Sequence, residues 1–409
     1  MLGTPRSART FCNDDASITS QGHPHNGKDW LNLVPPHNHI DIIKIETRLS
    51  FYPKVELFKP VQQPCRAGNK FVKPTRHSNK IHHIPQKNVS SGRKETDRRF
   101  HVVIVGINKY DDPRTPALQG CVHDALLFRD YLMQDLSVPV GQIATLLSPT
   151  GNEILPPLLD VPVPCNVPTR ENILNALYDL HDNPNIKPDD SIIIFYAGHG
   201  QSYSAAGYNF TGSIEAISPA DRSTLKSNAD GTEEIVVDIS DREINVIFGE
   251  IAKNCPNITL ILDCCHAGSG VRGCSTAFTS LQLGNKEFLT SRYCPSIPSA
   301  VPLMFKSADE TRRLSPDRPR TADPNFRANM KSHVLIASAK EYEEAFEYRD
   351  TVTGLSQGYF TSRFLTALRS PLGRNPATTY RDVIGSPDLV MPFQTAFVAG
   401  RKTARLWFA

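Results

Sequence analysis

From residue 99 onward the chain alternates between short apolar runs and longer segments with helical spacing. Arg99 to Asn108 reads Arg-Phe-His-Val-Val-Ile-Val-Gly-Ile-Asn, a near-continuous apolar strand of the kind covered on both faces in a parallel sheet. Leu118 to Leu136 puts Leu118, Val122, Ala125, Leu126 and Leu132 at helical spacing, and Ile143 to Leu147 is a short strand. Thr169, behind Pro168, is a good N-cap for a helix with the stripe Ile173, Leu174, Leu177 and Leu180. Ile192 to Tyr196 is the next strand. Ser240-Asp-Arg-Glu243 has the capping-box pattern and predicts a helix through Ile244, Ile247, Phe248 and Ile251. Strands follow at Ile258–Leu262 and His333–Ala339, then a helix over Gly358–Leu368. A weaker helix from Thr379 to Val390 is interrupted by Gly385 and Pro387, and Ala404–Phe408 is expected as a last strand.

Strand and helix in alternation predict an α/β fold with right-handed crossovers and a mostly parallel sheet. Three stretches break the rhythm. Residues 148–168 are rich in Pro, residues 201–237 in Gly, Ser and Asn, and residues 271–331 in Ser, Pro and Arg. The last is expected to be a flexible linker (272–332), since a structureless stretch that long inside a compact domain is functional or disordered.

Charge changes the picture at one end only. The chain has 409 residues and a net charge of +3, too small to suggest nucleic acid as the main partner. Residues 1–98 show little patterned hydrophobicity and are basic, so they are expected to form a disordered pro-region, with the folded domain at 99–409. Their histidines (His23, His25, His37, His39, His82, His83) lack cysteines at a zinc-finger spacing, because Cys12 and Cys65 stand alone. Nine cysteines, irregularly spaced and several of them beside apolar strands, point to reduced thiols and a cytoplasmic location rather than a disulfide framework. No apolar run is long enough to span a membrane, so no membrane association is expected.

Two strand ends carry chemistry. Asp190-Ser-Ile-Ile-Ile-Phe-Tyr-Ala-Gly-His-Gly200 ends on an imidazole between glycines, and Asn257-Ile-Thr-Leu-Ile-Leu-Asp-Cys-Cys-His-Ala-Gly-Ser-Gly270 ends on an acid, two thiols and an imidazole. Parallel neighbours would bring His199 and Cys265 together at the carboxyl edge of the sheet. A cysteine peptidase needs a thiol, a base and donors for an oxyanion. Cys265 could attack, His199 could serve as base, and the backbone N–H groups of Gly200 and Cys265 could hold the oxyanion. Side chains alternate along a strand, so Cys264 turns the other way, into packing. A tight turn at Gly-His-Gly, a metal site built on Cys-Cys-His, and His266 as a rival base are the competing readings.

Phe195-Tyr-Ala-Gly-His-Gly200 and Leu262-Asp-Cys-Cys-His-Ala-Gly268 resemble the two active-site motifs of caspase-like peptidases, the metacaspases in particular. The resemblance extends through Val103–Tyr110, Leu118–Asp124, Ser218–Asp221, Ala337–Ala339 and Gly358–Thr361, and so over residues 99 to 409. It implies a caspase–haemoglobinase fold: three layers, α/β/α, around a mostly parallel sheet of about six strands. The domain would divide into a large-subunit-like part (99–271), the linker (272–332) and a small-subunit-like part (333–409). The resemblance also implies an endopeptidase with a His199/Cys265 dyad that cuts proteins and peptides after Arg or Lys. Asp124 and Asp263 match the family's acidic specificity pocket, with Cys121 of the same motif counted among the substrate-binding residues. A carboxylate pocket selects a cationic side chain through charge-assisted hydrogen bonds.

The sequence departs from the family where calcium would bind. Gln201 to Ser213 contains no carboxylate, although Glu215 and Asp221 remain, and Arg272 stands where an acid is expected. No metal or other cofactor is therefore expected. Self-processing in the linker, at Arg312, Arg313, Arg318, Arg320, Arg327 or Lys331, is a further expectation, as is a monomer. The alternative from another class is a catalytically silent interaction module.

Overall fold

In a computed structural model, the described residues are 99–151, 166–204, 213–227, 231–265, 281–283, 287–312, 320–323, 331–340, 343–351 and 353–408. All lie within one compact unit, Gln86–Ala409. The expected pro-region, residues 1–98, falls outside the described residues, as do His266, Arg272, Arg313, Arg318 and Arg327.

In chain order the elements begin β1 (Phe100–Ile107), α1 (Cys121–Gln134), β2 (Ile143–Ser148), α2 (Arg170–Asp182) and β3 (Ser191–Ala197). Five short strands follow: β4 (Gly200–Ser204), β5 (Ser213–Ile217), β6 (Leu225–Ser227), β7 (Glu233–Ile235) and β8 (Ile239–Ser240). Next come α3 (Asp241–Asn254), β9 (Ile258–Asp263), β10 (Leu281–Leu283), β11 (Glu287–Ser291), α4 (Val301–Thr311) and β12 (His333–Ala337). The chain closes with β13 (Phe346–Arg349), β14 (Ser356–Gly358), α5 (Tyr359–Arg369), α6 (Tyr380–Ile384) and β15 (Phe397–Gly400).

Six strands form the central sheet in the order β15-β12-β9-β3-β1-β2. Every pairing is parallel except β12 with β15. Strands β1, β3 and β9 are buried along almost their whole length, as their unbroken apolar runs require. On one face α1 and α5 cover the sheet through Phe128, Leu132, Phe360 and Phe364; on the other α2 and α3 cover it through Ile173, Leu177, Ile247 and Phe248. The result is the expected three-layer α/β/α architecture with six strands. Three smaller antiparallel sheets, β4-β5-β8, β10-β11-β13-β14 and β6-β7, stand outside the central one.

Local chemistry explains the helix starts. Thr169 caps α2 by accepting Asn172 N–H at 3.2 Å. Only half of the predicted capping box forms at α3. Ser240 Oγ takes Glu243 N–H, but the Glu243 carboxylate turns to Arg170 at 2.8 Å, because a guanidinium is a stronger partner than a backbone amide. Helix α1 has no side-chain cap at Gly120; instead Asn108 Oδ1, just past β1, accepts from Cys121 N and Val122 N.

Three expectations change. Residues 201–237, expected to be irregular, contain most of β4 and all of β5 to β7, and β4 and β5 bury Tyr203, Ile214 and Ala216 in a separate apolar cluster with α4. Within 272–332, expected to be linker, β10, β11 and α4 form, and α4 buries Val301, Met304, Phe305 and Ala308. The last sheet strand is Phe397–Gly400, not Ala404–Phe408. Trp407 has φ 55°, which ends any extended run, and it is buried by a different route: its N–H goes to Tyr380 Oη and its indole Nε1 to Tyr131 Oη.

Phe128 joins α1 to the sheet. It is fully buried and its ring stacks on Phe195 of β3 at 4.6 Å. Phe128→Ala is expected to lower unfolding free energy by about 3–5 kcal/mol, measured by urea titration of purified protein.

Candidate active site

The register of β3 and β9 pairs Ala197 with Asp263, so the two chemical loops leave the sheet side by side. Gly200 lies so close to the chain at Cys265 that a Cβ there would collide with the Cys265 carbonyl, which is why a glycine stands after His199. Cys264 packs into the core on the α2/α3 face, while Cys265 sits apart from it, against Ala339 and Ala345. The alternation expected for the adjacent thiols is present.

His199 is fixed through its backbone and one ring nitrogen. Its N–H donates to Tyr110 Oη at 2.8 Å, and its carbonyl lies 2.7 Å from Tyr196 Oη. Nε2 lies 2.8 Å from the Pro116 carbonyl, which can only accept, so Nε2 carries the proton and Nδ1 carries the lone pair. Nδ1 is buried and has no hydrogen-bond partner. Burial lowers the imidazole pKa to about 4, against smaller raising effects from the backbones of Pro116 and Arg292. The Cys265 thiol accepts Ala345 N–H at 3.2 Å and lies 3.7 Å from Ser291 Oγ. Burial pushes it up to about 12, with the Ala345 N–H acting in the opposite sense. Both groups are therefore neutral at pH 7, and the thiol is engaged on the β13 side rather than with His199.

Beside them three carboxylates converge. Asp124 comes from the first turn of α1, Asp263 from the end of β9 and Glu347 from β13, and all are buried. Backbone and hydroxyl donors hold each one. Gly358 N–H reaches Asp124 at 2.9 Å, Thr361 N–H and Oγ1 reach Asp263 at 3.2 and 2.6 Å, and Gln119 and Gly120 N–H reach Glu347 at 2.8 and 3.0 Å. Gly358 must lack a side chain, since a Cβ would strike Asp263, Asp124 and Arg292.

The centre of this cluster is occupied by Arg292, one residue past β11 and fully buried. Its Nη2 lies 2.5 Å from Asp124 and 3.5 Å from Glu347, and its Nη1 lies 3.0 Å from Asp263. Burial raises the Asp124 pKa to about 7, Arg292 pulls it down and Asp263 pushes it up further.

The structure thus brings together Asp124, Asp263, Gly200, Cys265 and His199. Cys121 reaches the cluster only through its Sγ, 3.8 Å from Glu347 Oε2. Sequence reasoning missed Glu347 and Arg292. Each sits in a short strand or strand edge with no apolar period, and the signal available was only an unmatched charge near the linker. Of the expected linker cleavage residues, Arg312 caps α4 and is half-buried, whereas Arg320 and Lys331 are exposed. As for calcium, Ser213 Oγ donates to Glu215 Oε1, and among the described residues no group of three or more His, Cys, Asp or Glu could hold a metal ion.

Fold and site together define an α/β chain with imidazole and thiol at adjacent parallel strand ends beside an acidic pocket. Residues 101–272 match the family model described as metacaspase, peptidase C14 domain. Metacaspase-1 of Cryptococcus neoformans is 29% identical over 168 residues, 41% of this chain and 32% of that protein. Metacaspase-3 of Arabidopsis thaliana is 27% identical over 168 residues, 41% of this chain and 39% of that protein. These matches support a metacaspase-type, caspase-like protein. The chain spans about a third of the length of those relatives. Among solved structures, that of pro-sf-caspase-1 aligns with TM-score 0.33 and 10% identity, over 77% of this chain and 94% of that one. A Geobacter sulfurreducens protein aligns with TM-score 0.44 and 15% identity, over 73% of this chain and 92% of that one. Arg292, Glu347, Gly358 and Thr361 lie beyond the family-model match. No helix among the described residues is long and apolar enough to cross a membrane.

The buried imidazole gives a pH signature. The folded ring takes a proton only near pH 4, whereas the unfolded ring takes one near 6.5. His199 therefore costs stability as pH falls from about 6.5 to about 4, by about 2 kcal/mol at pH 5 relative to pH 7. Asp124 acts in the opposite direction between about 7 and 3.8, so the measurement is a difference. Denaturant titrations of wild type and His199→Gln at pH 7 and pH 5 are expected to show the variant gaining that amount relative to wild type on acidification.

Proposed function

We propose that the protein is a cysteine endopeptidase that selects Arg or Lys before the cut, with Cys265 as nucleophile and His199 as base. The observation that carries this reading is the three-carboxylate pocket, already filled by a guanidinium, beside the Gly-His-Gly and Cys265 strand ends. A pocket that holds one arginine with three buried carboxylates has the charge and the acceptor geometry to hold another. The family match over 101–272 supports peptidase chemistry in the same direction.

In the proposed reaction the His199 Nδ1 lone pair takes the Cys265 proton. The thiolate then attacks the carbonyl carbon of the substrate, whose developing oxyanion is met by Gly200 N–H and the backbone N–H of Cys265. The protonated imidazole returns its proton to the leaving amine, and water hydrolyses the thioester. The Nε2–H bond to Pro116 keeps Nδ1 as the acceptor throughout. No step needs a metal. Self-processing within 272–332 belongs to the same reading, since that stretch carries basic residues and joins the elements that build the pocket.

The test is hydrolysis of fluorogenic peptides ending in Arg, Lys or Asp, with calcium and with chelator. Wild type and Cys264→Ala are expected to cleave after Arg and Lys, independently of calcium. Cys265→Ala is expected to lose at least about 1,000-fold in kcat. Asp263→Asn removes a charge-assisted contact and is expected to lower kcat/KM on Arg peptides by about 10–100-fold. Absence of turnover with every basic peptide would favour the silent interaction module, which a neutral thiol bonded to Ala345 would then suit.

A further inference from the structure

The geometry points to the Arg292–Tyr293 bond as this enzyme's own internal substrate, held in the cleft, with cleavage after Arg292 as the event that empties the specificity pocket. This rests on the reading of the site as a thiol peptidase for basic residues. It differs from the cleavage sites the sequence suggests, because Arg292 is not among them.

The backbone around Arg292 is placed as a bound peptide would be. Strand β11 runs antiparallel to β13, pairing Leu289 with Tyr348 and Ser291 with Phe346, and Arg292 N–H continues the ladder to the Ala345 carbonyl at 2.9 Å. Adding an extended segment to a sheet edge is a general way of binding peptides, in which the ladder gives affinity and a side-chain pocket gives selectivity. Here the side chain in the pocket is an arginine touching all three carboxylates. Its carbonyl oxygen faces Gly200 N–H at 3.4 Å, the donor assigned to the oxyanion. The unpartnered Nδ1 of His199 and the thiol of Cys265 flank the same segment, the sulfur 3.7 Å from Ser291 Oγ. Tyr293, on the far side of the bond, is 39% exposed, so the leaving side opens to water.

A purely structural arginine would need its guanidinium paired. It would not need its carbonyl at the oxyanion donor or its N–H in the ladder beside the nucleophile. Of the described alternatives, Arg320 and Lys331 are exposed, whereas the carboxylate cluster is buried.

For cleavage the thiol leaves Ala345 N–H and passes its proton to His199. Sulfur bonds to the Arg292 carbonyl carbon, the bond to Tyr293 nitrogen breaks, and that nitrogen takes the proton from His199. Water then adds to the thioester, its oxygen ending in the Arg292 carboxylate and the sulfur regaining a proton. The net change is one water consumed and one peptide bond lost. The new amino-terminal side stays anchored, by Gln201 Nε2 on Cys294 Sγ at 2.7 Å and by Arg222 on the Pro295 carbonyl at 3.2 Å. The Arg292 side gains a carboxylate near three others and loses its tether, which favours its release.

The full chain is incubated, and its fragments are read by intact mass and N-terminal sequencing, alongside hydrolysis of an exogenous Arg peptide. Expected are fragments ending at Arg292 and beginning at Tyr293, absent in Cys265→Ala, retained in Arg292→Lys and lost in Arg292→Gln. Peptide hydrolysis is expected to rise at least about tenfold as they appear. Hydrolysis at full rate with the 292–293 bond intact, or fragments from other bonds only, overturns the inference and leaves the peptidase reading standing. A chain that cuts neither itself nor any exogenous basic peptide overturns both. Should Arg292→Gln fail to fold, the fragment ends from wild type decide.

Discussion

The guanidinium of Arg292 among three buried carboxylates is the interaction on which the site depends. Asp124, Asp263 and Glu347 come from α1, β9 and β13, and no sheet or helix by itself would set them side by side. Ionised together without a cation, they would repel in a poorly hydrated space, and each would be pushed toward its neutral form. Five donors from Gly358, Thr361, Gln119 and Gly120 supply part of the compensation, and Arg292 supplies the charge. The pocket is thus also a fastening, because it ties the start of α1, the end of β9 and the β13–α5 region to one point.

That fastening sets the state of the reactive pair. Closed over by β11 and β13, Cys265 and His199 are both buried, and burial moves their pKa values apart, the thiol up to about 12 and the imidazole down to about 4. A thiolate–imidazolium pair needs the reverse order. Water entering where β11 now lies would lower the first and raise the second. In the peptidase reading, occupancy of the pocket and the protonation state of the pair are therefore one variable.

Much of the frame was legible in the sequence because it depends on local pattern. The apolar runs of β1, β3 and β9 admit few positions other than the middle of a covered sheet, and Thr169 and Ser240 mark helix starts through side-chain chemistry that acts within a turn. That the His199 and Cys265 loops leave one sheet edge side by side followed from β3 and β9 being parallel neighbours. What was not legible depends on distant contacts. Arg292 meets Asp124 across 168 positions and Glu347 across 55, and nothing in its immediate neighbours announces either partner. The strands within 201–237 and 281–291 are only three to five residues long, too short to carry a period that can be read. Leu406 and Trp407 look like a strand by composition, yet the left-handed turn at Trp407 and its hydrogen bond to Tyr380 make them a plug against α1 and α6.

The charge count in the pocket connects these levels. One guanidinium among three carboxylates leaves an excess of negative charge if all are ionised, and burial together with the neighbouring Asp263 raises the Asp124 pKa. A site built only to bury a structural arginine would have no use for that excess, since each additional carboxylate costs desolvation that a single cation does not repay. A site that must attract a cationic side chain from water does have a use for it. Whatever leaves the pocket, the carboxylates are still held by backbone donors that do not move with the occupant. In the peptidase reading a vacated pocket would keep those donors and attract the next arginine or lysine, so that stability and selectivity would rest on the same three side chains.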